Sequence, residues 1–123
     1  MANVKILLVE DDYLIRLTLA EALAEAGFAV LEAASGDEAS ALLQHEATIA
    51  LLLTDVQLPG CLNGLQLAEL ARRRTPDLPV VFMTGRPDVL GPGGRTTRDA
   101  VIAKPYLPSE VCAAAHRLTE PIR

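Results

Sequence analysis

Residues 49–60 read Ile-Ala-Leu-Leu-Leu-Thr-Asp-Val-Gln-Leu-Pro-Gly: an apolar run that stops at a carboxylate and then passes into a Pro-Gly turn. A short, continuous apolar run bounded by turn residues is the pattern of a strand covered on both faces. Such strands belong to parallel sheets, which must be closed by helices on either side. Asp55 then falls just past the carboxyl end of a central strand, the edge at which open parallel sheets bind ligands. A bare loop-capping aspartate is the alternative at this point, and position alone does not separate the two.

The rest of the chain alternates as that strand requires. Val4–Val9 is an apolar strand that ends in Glu10-Asp11-Asp12. From Tyr13 the period becomes helical, with Ile15, Leu19, Ala22, Leu23 and Ala26 on one face and Gly27 as the stop. Leu14 and Leu17 lie off that stripe and call for a second apolar contact. Phe28–Leu31 is a second strand, and Ser35 with Glu38 three residues later opens a helix to about His45. Asn63 and Gln66 open another, carried by Leu65, Leu67, Ala68 and Leu70 to Arg72-Arg73-Arg74, whose charges suit a helix end facing solvent. Pro79–Met83 is a fourth strand and Ala100–Ala103 a fifth, before a last helix from Pro108 with Val111, Ala114, Ala115 and Leu118 inward. Between Arg86 and Asp99, Pro87, Gly91, Pro92, Gly93 and Gly94 oppose a full helix. The fold class is α/β: a doubly wound, five-stranded parallel sheet in one domain spanning residues 1–123.

In a parallel sheet all strands end at the same edge. Glu10, Asp11 and Asp12, Asp55, Thr84 and Lys104 therefore meet there, although they are scattered along the chain. Crowded carboxylates repel and raise one another's pKa, and a hard divalent cation relieves the conflict. Mg²⁺ suits a site of a few carboxylates, phosphate oxygens and water. With Lys104 and such an ion the site approaches neutrality and can receive a dianionic phosphoryl group. Phosphoryl transfer asks chiefly for positioning and charge neutralisation. Asp55 is the candidate nucleophile and Asp11 the metal ligand, with Glu10 behind it through water. The Thr84 hydroxyl and the Lys104 ammonium are the candidate phosphoryl contacts. Asp12 is better read as the cap of the first helix.

Leu8-Val9-Glu10-Asp11-Asp12, Thr54-Asp55-Val56-Gln57-Leu58-Pro59-Gly60, Met83-Thr84-Gly85 and Lys104-Pro105 together resemble the receiver domain of two-component response regulators. The resemblance covers nearly the whole chain in the right order. It implies a flavodoxin-like (βα)5 fold and phosphorylation of Asp55 by a histidine kinase or a histidine phosphotransfer protein. It also implies Mg²⁺ held by Asp11, Asp55 and the backbone carbonyl of Gln57, with Glu10 in the outer sphere. Thr84 matches the switch hydroxyl, Lys104 the phosphate-binding lysine, and Lys104-Pro105 the usual cis peptide. Two departures stand out. The fourth helix of the family falls on the breaker-rich residues 86–99, so it is expected to be short, irregular or missing, with ordering of that loop reporting phosphorylation. The usual aromatic three residues before the lysine is Val101.

Half of the residues are apolar, Trp is absent, and the net charge is −5. That balance opposes direct binding of nucleic-acid phosphates. No apolar run is long enough to span a membrane, and the N-terminus lacks a signal-peptide layout. A cytoplasmic protein acting on a downstream protein target is the expectation, with Cys61 and Cys112 as free thiols, His45 and His116 on the surface, and Tyr106 packing on the surface near the last helix. It is expected to be a phospho-acceptor that assists its own phosphorylation and dephosphorylation rather than an enzyme. Two alternatives are a Mg²⁺-dependent phosphatase working through an aspartyl phosphate and a receiver-like protein-binding scaffold. The first lacks a second acid two residues after Asp55, where Gln57 stands.

Overall fold

The computed structural model describes residues 4–46, 48–86 and 98–120. The strands are β1 (Lys5–Val9), β2 (Ala29–Ala33), β3 (Ile49–Asp55), β4 (Val80–Thr84) and β5 (Asp99–Ala103). The helices are α1 (Tyr13–Glu25), α2 (Gly36–His45), α3 (Gly64–Arg74) and α4 (Pro108–Thr119). All neighbouring strands pair in parallel, in the order β2-β1-β3-β4-β5. The order reverses between β1 and β3, which is the switch point where doubly wound sheets hold their ligands. The breaker-rich region expected to disturb a fourth helix lies, from residue 87 to residue 97, outside the described residues.

Side-chain alternation along the strands divides the core in two. Ile6, Leu8, Leu51, Leu53, Val81 and Met83 face α1 and α4, whose Leu19, Leu23, Val111, Ala115 and Leu118 close over them. Leu7, Val9, Leu52, Val80 and Phe82 face the other way, under Ala39 of α2 and Leu67, Ala68 and Ala71 of α3. The central strand β3 is thus sealed on both sides, as its composition requires.

The helix starts follow their capping residues. Asp12 Oδ1 accepts from Ile15 N at 3.1 Å, and Ser35 Oγ accepts from Glu38 N at 3.1 Å. Asn63 and Gln66 form a reciprocal box, with bonds of 2.8 and 2.9 Å. Gly27, at φ +102°, turns the chain out of α1 in a conformation other residues resist.

Four expectations are corrected. The second strand runs from Ala29 to Ala33, past Leu31, because pairing with β1 continues to Val9↔Ala33. As an edge strand it tolerates the charged Glu32. In α1, Leu19, Ala20 and Leu23 are buried, whereas Ile15 is 37% exposed. The first turn overhangs the sheet, so Tyr13, Leu14, Ile15 and Leu17 remain open to solvent. Arg72 is not a solvated helix end. Its guanidinium turns inward to the Leu78 carbonyl at 2.9 and 3.0 Å and pairs with Asp99 at the start of β5. Arg73 and Arg74 do stay exposed, with Arg74 donating to the Leu43 carbonyl. Finally, Tyr106, expected on the surface, is half-buried against the α1–α4 side of the core.

Candidate functional site

Strand register sets the site. Val9 lies beside both Ala33 and Thr54, Asp55 beside Met83, and Thr84 beside Ala103. The residues at the next step along each strand therefore emerge together. The strand ends are laced by Val56 N to Met83 O at 3.1 Å and Lys104 N to Thr84 O at 2.8 Å. Gly64 opens α3 directly against the Asp55 backbone, where an added Cβ would overlap the Asp55 carbonyl oxygen. A glycine is required by that close approach.

Glu10, Asp11 and Asp55 each offer a carboxylate oxygen, and these oxygens lie within 4.8 Å of one another. Glu10 is 1% and Asp55 2% exposed, whereas Asp11 opens to solvent. Lys104 Nζ approaches Asp55 Oδ1 at 2.9 Å, as an ion pair rather than a well-aligned hydrogen bond, and stands 3.7 Å from Glu10 Oε1. Thr84 Oγ1 accepts from Arg86 N at 3.0 Å, so its proton remains available to a ligand. The Lys104-Pro105 peptide is cis, as the resemblance implied. Asp55, Gln57, Met83, Thr84, Gly85, Arg86 and Lys104 line a cavity of about 110 Å³, with space for a small anion.

The electrostatics are those of a site short of positive charge. Burial, then the neighbouring Asp55, push the Glu10 carboxyl up to about 7. Asp11 is also raised, by loss of water and by Glu10. Burial alone would lower the Lys104 ammonium, but the close contact and charge of Asp55, joined by Glu10 and Asp11, outweigh it and raise its pKa. Glu10 Oε1 is buried without a hydrogen bond among the described residues. A buried, unbonded carboxylate oxygen is costly, and an all-oxygen donor set is what a hard divalent cation takes. The residues present fit Mg²⁺.

Every residue expected at the strand-end edge is there, with Asp12 set aside as the α1 cap. Gln57 reaches the cavity wall, while His45 and His116 are exposed and His116 leans on the Phe28 ring at 4.7 Å. Both cysteines are free, and Cys61 N donates to Asp37 Oδ2 on α2. Sequence reasoning missed Arg86 on the cavity wall. Its only signal was its position two residues after Thr84. It also missed the Tyr106 hydroxyl, which is buried with no hydrogen-bond partner among the described residues and whose pKa burial pushes up, with Glu10 and Asp55 adding to the effect.

A model of the response regulator receiver domain matches residues 6–116, a span that includes all of these side chains. This chain is a response regulator receiver domain. The response regulator receiver protein CpdR of Brucella abortus (strain 2308) is 41% identical over 104 residues, covering 83% of this chain and 85% of CpdR. A response regulator receiver protein from Sinorhizobium medicae WSM419 has a solved structure that superimposes with a TM-score of 0.88 at 27% identity, covering 95% and 94% of the two chains. The receiver domain of the hybrid histidine kinase CckA gives 0.80 at 31% identity, covering 94% and 99%. The receiver domain identified here therefore belongs to two-component signalling, and its flavodoxin-like fold is the one its sequence implied. None of its helices among the described residues is long and apolar enough to cross a membrane.

Proposed function

We propose that Asp55 accepts a phosphoryl group from the phosphohistidine of a histidine kinase or histidine phosphotransfer protein, with Mg²⁺ held by Asp11, Asp55 and the Gln57 carbonyl and with Glu10 in the outer sphere. The observation that carries this is the placement of Asp55 Oδ1 between the acidic cluster and Lys104, at the floor of an anion-sized cavity. A carboxylate oxygen attacks phosphorus, the new O–P bond forms as the P–N bond breaks, and the imidazole leaves with the electron pair. Mg²⁺, when bound, neutralises charge on the phosphoryl oxygens. Lys104 leaves Asp55 to follow the transferred group, and the free Thr84 proton is donated to it. The protein is a phospho-acceptor that assists these steps, not an enzyme with a turning-over substrate.

Beside the site, Leu14, Ile15 and Thr18 of α1 face Pro105, Tyr106 and Pro108 across an apolar cavity of about 560 Å³. With Leu14 70% and Leu107 63% exposed, this surface supports docking of a helical phosphodonor within reach of Asp55. A downstream protein target then reads the phosphorylated state. Free Cys61 and Cys112 suit the reducing cytoplasm, to which we assign the protein.

Incubation with acetyl phosphate and Mg²⁺ is expected to add the mass of one phosphoryl group, and Asp55→Ala to abolish the addition. Steady release of phosphate from small esters, without a phosphorylated intermediate building up, would instead favour the phosphatase. Gln57 speaks against that outcome, since it stands two residues after Asp55 where such a phosphatase carries its second acid. Absence of both reactions would leave the binding scaffold.

A further inference from the structure

Glu10 follows β1 and begins the acidic loop, and three of its polar groups are tied down. Its N–H donates to Ala33 O at 3.0 Å, and its Oε2 accepts from Asp12 N at 3.1 Å. Its backbone carbonyl accepts from Arg16 Nη1 at 2.9 Å. That last bond reaches back from α1 and has no counterpart in the acidic motif itself.

We propose that Arg16 is a positioning residue for the metal-binding acids, fixing the peptide plane that carries the chain from Glu10 into Asp11. A peptide unit is rigid, so the carbonyl of Glu10, the amide of Asp11 and the Asp11 Cα move as one plate. Holding the oxygen sets the direction in which the Asp11 side chain departs. Asp11 is the solvent-open member of the three carboxylates, and so the one whose direction needs setting.

The guanidinium is itself immobilised. Its Nε donates to Glu32 Oε1 on β2 at 3.2 Å, its carbon lies 5.4 Å from the Tyr13 ring centroid, and the side chain is only 15% exposed. One planar fork thus joins β1, β2 and the first turn of α1. A lysine has the charge but not the fork, and cannot meet the carbonyl, the carboxylate and the ring together. The contribution is geometric rather than Coulombic: Glu32 takes up the Arg16 charge, and Lys104 is the cation that acts on Glu10 and Asp11.

This inference rests on the reading of Asp11 as a metal ligand. Calorimetric titration with Mg²⁺ of the unphosphorylated protein, Arg16→Lys and Glu32→Gln is the test, run beside acetyl phosphate uptake at low and saturating Mg²⁺. Outer-shell partners of metal ligands typically carry about 10- to 100-fold in affinity. Arg16→Lys is expected to weaken Mg²⁺ binding about tenfold and Glu32→Gln about threefold, with uptake restored by saturating Mg²⁺ and melting little changed. Wild-type Mg²⁺ affinity in Arg16→Lys overturns the proposal. So does a loss of uptake equal at all Mg²⁺ concentrations and accompanied by early melting, which marks a purely structural role. If the wild type binds Mg²⁺ but takes up no phosphate, the phosphoacceptor reading fails, while calorimetry still decides the role of Arg16.

Discussion

Lys104 Nζ stands 2.9 Å from Asp55 Oδ1 and 3.7 Å from Glu10 Oε1, so a single ammonium serves two buried carboxylates at the ends of different strands. On the proposed reading it would compete with Mg²⁺ for these oxygens and follow the transferred phosphoryl group. Lys104→Met is therefore expected to bind Mg²⁺ at least as tightly as the wild type. Uptake of phosphate from acetyl phosphate should nonetheless fall about a hundredfold, the usual scale for losing one preorganised charge contact. Calorimetry and intact-mass kinetics on the same samples check both halves.

Stability should depend on pH and Mg²⁺ in opposite senses. The Glu10 carboxyl is raised in the folded state from its ordinary value of 4.5 to about 7, chiefly by burial. Between those two values the folded state holds a proton that the unfolded state has released. Stability from this group is present below pH 4.5 and is lost as pH rises through 7. The metal-free protein should melt higher at pH 5.5 than at pH 7.5, by on the order of 2 kcal/mol of stability from this group once its ion pair is allowed for. Excess Mg²⁺ should reverse the order, because it binds the deprotonated acids. Thermal melts at both pH values, with Mg²⁺ and with a chelator, decide it.

Gly64→Ala places a methyl group on the Asp55 carbonyl oxygen. The start of α3 must retreat, at a cost of about 1–3 kcal/mol, and the phosphoacceptor moves with it. Urea unfolding should show the loss. Uptake from acetyl phosphate should drop even at temperatures where the variant is fully folded.

Arg72→Met makes the contrasting case. It removes a guanidinium that donates twice to the Leu78 carbonyl and pairs with Asp99, at the edge of the sheet away from the site. Leaving that carbonyl without its donors costs about 1–3 kcal/mol. The midpoint of urea unfolding should fall accordingly, while the rate of phosphate uptake at low temperature stays within about twofold of the wild type.

How much of this was legible beforehand depends on how local the deciding interaction is. Asp12, Ser35 and the Asn63–Gln66 pair act within one turn, and each starts its helix where the residue types indicate. The acidic cluster was legible for a different reason: parallel strands leave only one edge for their ends, so Glu10, Asp11, Asp55, Thr84 and Lys104 needed no contact information to be assembled. Arg72 and Ile15 were misjudged because their surroundings come from remote segments. The one meets Leu78 and Asp99, and the other overhangs the sheet beside Pro105 and Tyr106. The Arg16 bond to the Glu10 carbonyl was invisible in the same way, since no spacing rule announces a guanidinium folding back onto a strand end.

The division of the interior into two apolar halves has a mechanical corollary. Leu53 packs into one half and Leu52 into the other, so the strand leading to position 55 is gripped like a blade in a vice. A new covalent group at its tip cannot be accommodated by recoil along the strand. On the proposed reading, any displacement it causes has to travel sideways, out of the clamped strand, before a partner can sense it.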